Sequence, residues 1–204
     1  MQSAKLKNLP NALTFGNMAI GILVICFMVH NDSLSGIKFA CYLIYIAAVL
    51  DLLDGHLARY LNVSSEMGKQ LDSFADFITF GVAPIAIFIS NMDSVPWYIM
   101  IVLLFYPLAG GFRLVRYNLQ ENCDYFTGLP ITASGFIMIT VLLIHIYLHG
   151  EFTVKFIIFY LLLTLVLSIM MVSRFRVNRI LKIKEVCVSQ NHINDVTNFS
   201  NKSI

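Results

Sequence analysis

Six apolar runs, each about the 20 residues that a helix needs to cross a hydrocarbon core, fill most of this chain: residues 13–30, 37–59, 71–91, 96–117, 131–149 and 153–174. Each is read as a transmembrane helix, because a backbone surrounded by lipid must satisfy its own hydrogen bonds. The expected fold is therefore all-α, a polytopic integral membrane protein with six transmembrane helices. Composition agrees: of 204 residues, 58% are apolar and only 13% charged, too few charges for a soluble surface.

Lysine and arginine set the orientation, since basic residues near helix ends stay on the cytoplasmic side. With both termini cytosolic, the inner side collects Lys5, Lys7, Arg59, Lys69, Arg113, Arg116, Arg174, Arg176, Arg179, Lys182, Lys184 and Lys202, leaving Lys38 and Lys155 outside. The opposite topology reverses that bias and is rejected. The expected location is the cytoplasmic membrane, crossed several times. The first run is not read as a cleaved leader, because no small-residue cleavage site follows it.

One membrane domain is expected over residues 1–176, followed by a polar cytosolic tail at 177–204 that starts basic, against anionic headgroups, and ends without a folding pattern. Cys26, Cys41, Cys123 and Cys187 show no paired spacing and read as reduced, mostly lipid-buried small apolar side chains rather than a disulfide framework or zinc site. Nothing interleaves basic and aromatic residues on one surface, which argues against nucleic acid as a partner.

Against this background the segment DLLDGHLARYLNVSSEMGKQLDSFADF, residues 51–77, is anomalous. It places Asp51, Asp54, Asp72 and Asp76 at the cytosolic ends of helices 2 and 3, although a carboxylate in a spanning segment costs up to about 3 kcal/mol. At about 100° per residue, Asp54 lies about 60° from Asp51 and Asp76 about 40° from Asp72, so each pair points one way. Asp51 and Asp54 also approach the partly negative C-terminal end of helix 2, where acidic groups are disfavoured. Divalent cations, which favour oxygen ligands, can satisfy four converging carboxylates, and two such ions form a clamp suited to in-line substitution at phosphorus. An ion-pair cluster with Arg59, Lys69 and Arg113 is the structural alternative, but it leaves an excess of buried negative charge. A cation carrier is another, although a transport path more naturally has a midplane site on broken helices.

Asp51, Asp54-Gly55, Ala58-Arg59, Gly68, Asp72 and Asp76 reproduce the pattern DxxDGxxARx8GxxxDxxxD, which is the signature of the CDP-alcohol phosphotransferase family. The resemblance implies a six-helix membrane enzyme, usually a homodimer, that uses Mg²⁺ or Mn²⁺, two ions per site, to move a phosphate-linked alcohol from a CDP-activated donor to an acceptor hydroxyl with release of CMP. It implies Asp51, Asp54, Asp72 and Asp76 as metal ligands, Asp76 also as the general base, Gly55, Ala58 and Gly68 as space for cytidine, and Arg59 as a diphosphate contact.

The acceptor must be read from other segments. LPNALTFGN sets Asn11, Thr14 and Asn17 on one face at the entry of helix 1, where they either touch nucleotide or start the helix with Asn11 as its cap. GGFRLVRYN brings Arg113, Arg116 and Asn118 to the level of the aspartates, as acceptor contacts or as inside-positive anchors. With FTGLPITASG at 126–135, these segments resemble the branch of the family that makes phosphatidylserine from CDP-diacylglycerol and serine, whose carboxylate suits an arginine fork. Glycerol 3-phosphate carries an anion too, so it remains the runner-up acceptor; inositol carries none and stands third.

Overall fold

The computed structural model describes residues 9–31, 33–61, 65–92, 94–119, 125–150, 152–173 and 176–178, with the side chains of Ala58, Arg59 and the strand residues 125–127 and 176–178 outside the described set. Six helices are long and apolar enough to span a membrane: α1 (Leu9–Val29), α2 (Leu34–Tyr60), α3 (Glu66–Ile89), α4 (Trp97–Leu119), α5 (Ile131–His149) and α6 (Val154–Val172). The six expected spans are all present. Their ends differ where hydropathy fades before the helix does: α1 starts at Leu9 rather than near 13, and α3 at Glu66 rather than 71. Asn11 therefore lies inside the first turn of α1 and is not its cap.

The start of α3 is written in local chemistry. Ser65 has extended backbone and its Oγ accepts from the Gly68 N–H at 3.0 Å, satisfying one of the donors that a helix start leaves open. Glu66 in the first turn suits the positive end of the helix dipole. It pairs with Lys69 at 3.7 Å, both side chains exposed.

Immediately after Asp76 the helix widens into a π turn, Phe77–Val82, before Ala83–Ile89 completes it. Ala83 N–H bonds back five residues to the Ile78 carbonyl. Pro84 then offers the preceding turn no donor at all, and the Phe80 carbonyl in that turn accepts instead from the buried Tyr106 hydroxyl of α4 at 3.1 Å.

Lipid is as apolar as leucine, so the helices are held by close packing and interhelical hydrogen bonds more than by any drive to escape water. Two glycines show it. At Gly21 of α1 a Cβ would collide with Thr79 Oγ1 of α3 and lie 3.0 Å from the Thr79 Cα. At Gly135 of α5 it would lie 2.8 Å from the Phe80 Cβ and 2.9 Å from the Phe80 carbonyl oxygen. Both contacts bring α3 to the centre of the bundle, where Phe80, Ile87 and Phe88 pack with Val24, Ile44, Leu103, Met138 and Tyr160. Leu23, Leu52, Leu104 and Ile169 point outward and are exposed, as residues facing lipid should be.

One three-residue pairing interrupts the all-helical plan. Tyr125–Thr127 runs antiparallel to Arg176–Asn178, with Phe126 opposite Val177, so the α4–α5 link and the segment after α6 are joined across the boundary expected near 176. Beyond 178 the expected tail lies outside the described residues. Cys26 and Cys41 are free thiols.

Candidate active site

The antiparallel alternation of the helices gathers the start of α1, the end of α2, the start of α3 and the end of α4 at one end of the bundle. There Asp51 of α2 and Asp72 and Asp76 of α3 each offer an oxygen, all within 4.8 Å of one another. Like charges about 4 Å apart repel by about 4 kcal/mol at an effective dielectric constant of about 20, so the trio needs protons or a cation among its members. Asp76 Oδ1 is buried without a hydrogen-bond partner among the described residues. An all-oxygen donor set with an orphaned buried acceptor fits a hard divalent cation such as Mg²⁺ or Mn²⁺, and the residues present therefore suit a metal centre.

Asp54 stands apart from the trio. It is only 3% exposed, and Thr14 Oγ1 lies 2.8 Å from its Oδ2 and 3.0 Å from the Pro10 carbonyl. The hydroxyl has one proton, and the carboxylate is the stronger acceptor. Thr14 thus holds Asp54 in place, a role that its spacing from Asn11 and Asn17 did not suggest.

The other residues of the α1 face are spread along the same wall. Asn11 touches the start of α3, where a Cβ on Gly68 would come within 3.3 Å of Asn11 Oδ1 and 3.0 Å of Ser65 Oγ. The smallness of Gly68 therefore serves the α1–α3 contact itself, besides any room it leaves for a ligand. Asn17 is fully buried with both amide atoms lacking a partner among the described residues, while its carbonyl accepts from Thr79 Oγ1 at 3.2 Å. Gly55 is half-buried beside Asp54. The expected contacts of Ala58 and Arg59 lie outside the described residues.

Of the three candidate acceptor residues on α4, one is buried within the field of a carboxylate. Arg113 is 7% exposed, lies within the field of Asp76, and has its Nε buried without a partner among the described residues. Arg116 lies against α6, donating from Nη1 to the Val172 carbonyl at 3.0 Å and from Nη2 to the Met171 carbonyl at 3.4 Å. Asn118 Nδ2 donates to Ser73 Oγ at 3.0 Å and so ties α4 to α3 next to Asp72. Sequence reasoning passed over Ser65 and Ser73. The cap was signalled by a serine directly before an acidic first turn, whereas the Ser73–Asn118 bond joins residues 45 apart and left no local signal.

Comparisons with known proteins show what the whole chain is similar to. Over 133 residues the chain is 35% identical to the CDP-diacylglycerol–serine O-phosphatidyltransferase of Bacillus subtilis (strain 168), covering 64% of this chain and 73% of that protein. With the protein of the same name from Helicobacter pylori (strain ATCC 700392 / 26695) the identity is 32% over 187 residues, 86% of this chain and 73% of that one. A third of that name, from Mycobacterium bovis (strain ATCC BAA-935 / AF2122/97), is 35% identical over 152 residues, 69% of this chain, which spans about half (51%) of that longer protein. The family model described as CDP-alcohol phosphatidyltransferase matches residues 7–185, a stretch that holds every helix and all four aspartates. A six-helix bundle with the aspartate signature drawn together at one end is what that match encloses, and the chain belongs to the CDP-alcohol phosphatidyltransferase family.

Proposed function

We propose that the protein transfers the phosphatidyl group of CDP-diacylglycerol to the hydroxyl of L-serine, giving phosphatidylserine and CMP, at the cytosolic face of the cytoplasmic membrane and as a homodimer. The observation that carries the reading is the trio Asp51, Asp72 and Asp76 with the buried Arg113 within the field of Asp76. The names of the relatives favour serine, and the crowding of basic residues at one set of helix ends favours a cytosolic site.

Asp51, Asp72 and Asp76, with Asp54 braced by Thr14, would hold Mg²⁺ or Mn²⁺, two ions in the full site. Bound metal supplies Lewis-acid neutralisation of the diphosphate. Asp76, whose Oδ1 is buried without a hydrogen-bond partner among the described residues, would also accept the serine hydroxyl proton as general base. The serine oxygen forms its bond to the phosphatidyl phosphorus as the bond from that phosphorus to the CMP oxygen breaks. Arg113 offers its planar fork to the serine carboxylate, a geometry that lysine does not reproduce. Arg116 and Asn118 set where Arg113 stands by fixing the end of α4 to α6 and α3. Asn11, Asn17, Gly55, Gly68 and, by the family pattern, Ala58 and Arg59 border the nucleotide.

The test is CMP release by the purified protein with CDP-diacylglycerol and Mn²⁺, offering serine, glycerol 3-phosphate and inositol separately. Serine-dependent release with a phosphatidylserine product is expected. Release with glycerol 3-phosphate or inositol instead would overturn the acceptor, and no release with any of them would overturn the donor.

A further inference from the structure

The buried stripe of α1 runs through Pro10, Thr14, Asn17, Gly21, Val24 and Met28. Its outer half is apolar, and its polar members, Thr14 and Asn17, stand toward the end of the bundle where the aspartates gather. Thr14 has its task in holding Asp54. Asn17 is 0% exposed, and neither Oδ1 nor Nδ2 of its amide has a hydrogen-bond partner among the described residues. A buried amide without partners is costly, and packing alone would be served better by a hydrocarbon side chain of similar size.

Contacts on two sides fix what Asn17 stands beside. Toward α2, Thr14 meets Asp54, and a Cβ on Gly16 would lie 3.9 Å from Leu50 Cδ1. These helices run antiparallel, so three residues up α1 from Thr14 and three back along α2 from Asp54 bring Asn17 level with Asp51. Toward α3, a Cβ on Gly68 would lie 3.3 Å from Asn11 Oδ1, and one on Gly21 would lie 3.0 Å from the Thr79 Cα. These helices run parallel, so Asn17, between Asn11 and Gly21, falls level with the turn that carries Asp76. The Asn17 carbonyl accepts from Thr79 Oγ1 at 3.2 Å and pins α1 to the π turn directly after Asp76. Helical side chains lean toward the N-terminus of their helix, which for α1 is the end that holds the trio. The matching acceptor there is Asp76 Oδ1, likewise buried without a partner among the described residues.

We propose that Asn17 is a positioning residue for the carboxylate trio, its Nδ2 donating to one buried water that in turn donates to Asp76 Oδ1. The two atoms are not bonded to each other, and polar groups held a little too far apart are bridged by water, which needs about two to four polar partners. A carboxylate oxygen has two lone pairs, so this donor orients Asp76 and leaves it able to ligate a cation. Metal-ligating groups that lose such a partner cost about 10- to 100-fold in affinity or activity. The inference rests on the trio being a metal centre, and it gives the Asn17 amide a narrower task than a place along the nucleotide wall.

Asn17→Leu and Asn17→Val both put hydrocarbon where the amide stands, so one remains informative if the other fails to fold. Asn17→Ser keeps a donor and leaves room for water. Mn²⁺ binding is measured by titration calorimetry on the purified protein in detergent, without substrate, beside the unfolding temperature of the metal-free protein. The hydrocarbon variants should bind Mn²⁺ roughly 10- to 100-fold more weakly, and the serine variant should stay close to wild type. Unchanged Mn²⁺ affinity in a folded hydrocarbon variant would overturn the proposal, and a lowered unfolding temperature beside it would assign the amide to packing alone. A serine variant as impaired as the hydrocarbon ones would overturn it too. Wild-type protein that binds no Mn²⁺ would instead overturn the metal reading beneath it.

Discussion

Replacing Thr14 with valine keeps the shape of the side chain and removes the hydroxyl that Asp54 leans on. The bond is short, 2.8 Å, and Asp54 is 3% exposed, so water has little room to replace the lost donor. A hydrogen bond to a charged group contributes about 1.5–3 kcal/mol. At about 1.36 kcal/mol per factor of ten, this corresponds to a loss of about 10- to 150-fold. Groups that orient metal ligands cost about 10- to 100-fold in affinity or activity when removed, an independent route to the same range. The effect should appear in the metal dependence: with both substrates saturating, CMP release titrated with Mn²⁺ should need roughly 10- to 100-fold more metal for half-maximal rate. Thr14→Ser, which restores the hydroxyl, should stay close to wild type. An unchanged Mn²⁺ curve for Thr14→Val in protein that still unfolds at the wild-type temperature would refute the reasoning, and a serine variant as impaired as the valine one would place the effect in the lost methyl group.

Other outcomes follow from the same geometry. Asp76→Asn should abolish CMP release without lowering the unfolding temperature, and substantial residual turnover would remove Asp76 from the role of base. Arg113→Lys should raise the KM for serine roughly tenfold, equivalent to about 1.4 kcal/mol, and leave that for CDP-diacylglycerol unchanged; a matching rise for the donor would move Arg113 to the donor side. Gly21→Val forces a side chain into Thr79 and should destabilise the bundle by about 1–3 kcal/mol, read from unfolding in detergent. Tyr106→Phe takes the donor from the Phe80 carbonyl and should cost about 0.5–1.5 kcal/mol in the same assay; no loss would mean that this carbonyl is satisfied in another way.

The aspartates were legible because the chemistry at each position is unusual for its surroundings: a carboxylate in an apolar helix demands an explanation, and four at helical spacing narrow it to a cation site. The six helices were legible for the complementary reason, that lipid permits few ways to satisfy a backbone. What lay hidden was pairing at a distance. Thr14 and Asp54 are 40 positions apart, and nothing near either names the other. Arg116 looked equivalent to Arg113, since both are basic and, three residues apart, stand only about 60° apart around α4; what separates them is the contact of Arg116 with the Val172 and Met171 carbonyls, 56 and 55 positions away in the chain. The π turn was hidden because apolar residues fill it as they would fill an ordinary helix. Pro84 hinted only that a carbonyl nearby would need another donor.

That wide turn decides where α3 can tolerate a change of length. The stretch Phe77–Val82 stands between two faces that have to agree: Asp72 and Asp76 on one side, Ile87 and Phe88 on the other. A π turn holds one residue more than the α turn it replaces, so deleting one residue there would convert it toward ordinary helix and leave the two faces near their present relation, whereas deleting one from the ordinary helix on either side would swing one half by about 100° against the other. Either the carboxylates would leave the cation or the aromatic face would leave the bundle. In genetic terms, a single in-frame codon lost from the helical turns on either side of these six should be as damaging as losing an aspartate, whereas the same loss inside the six should be milder.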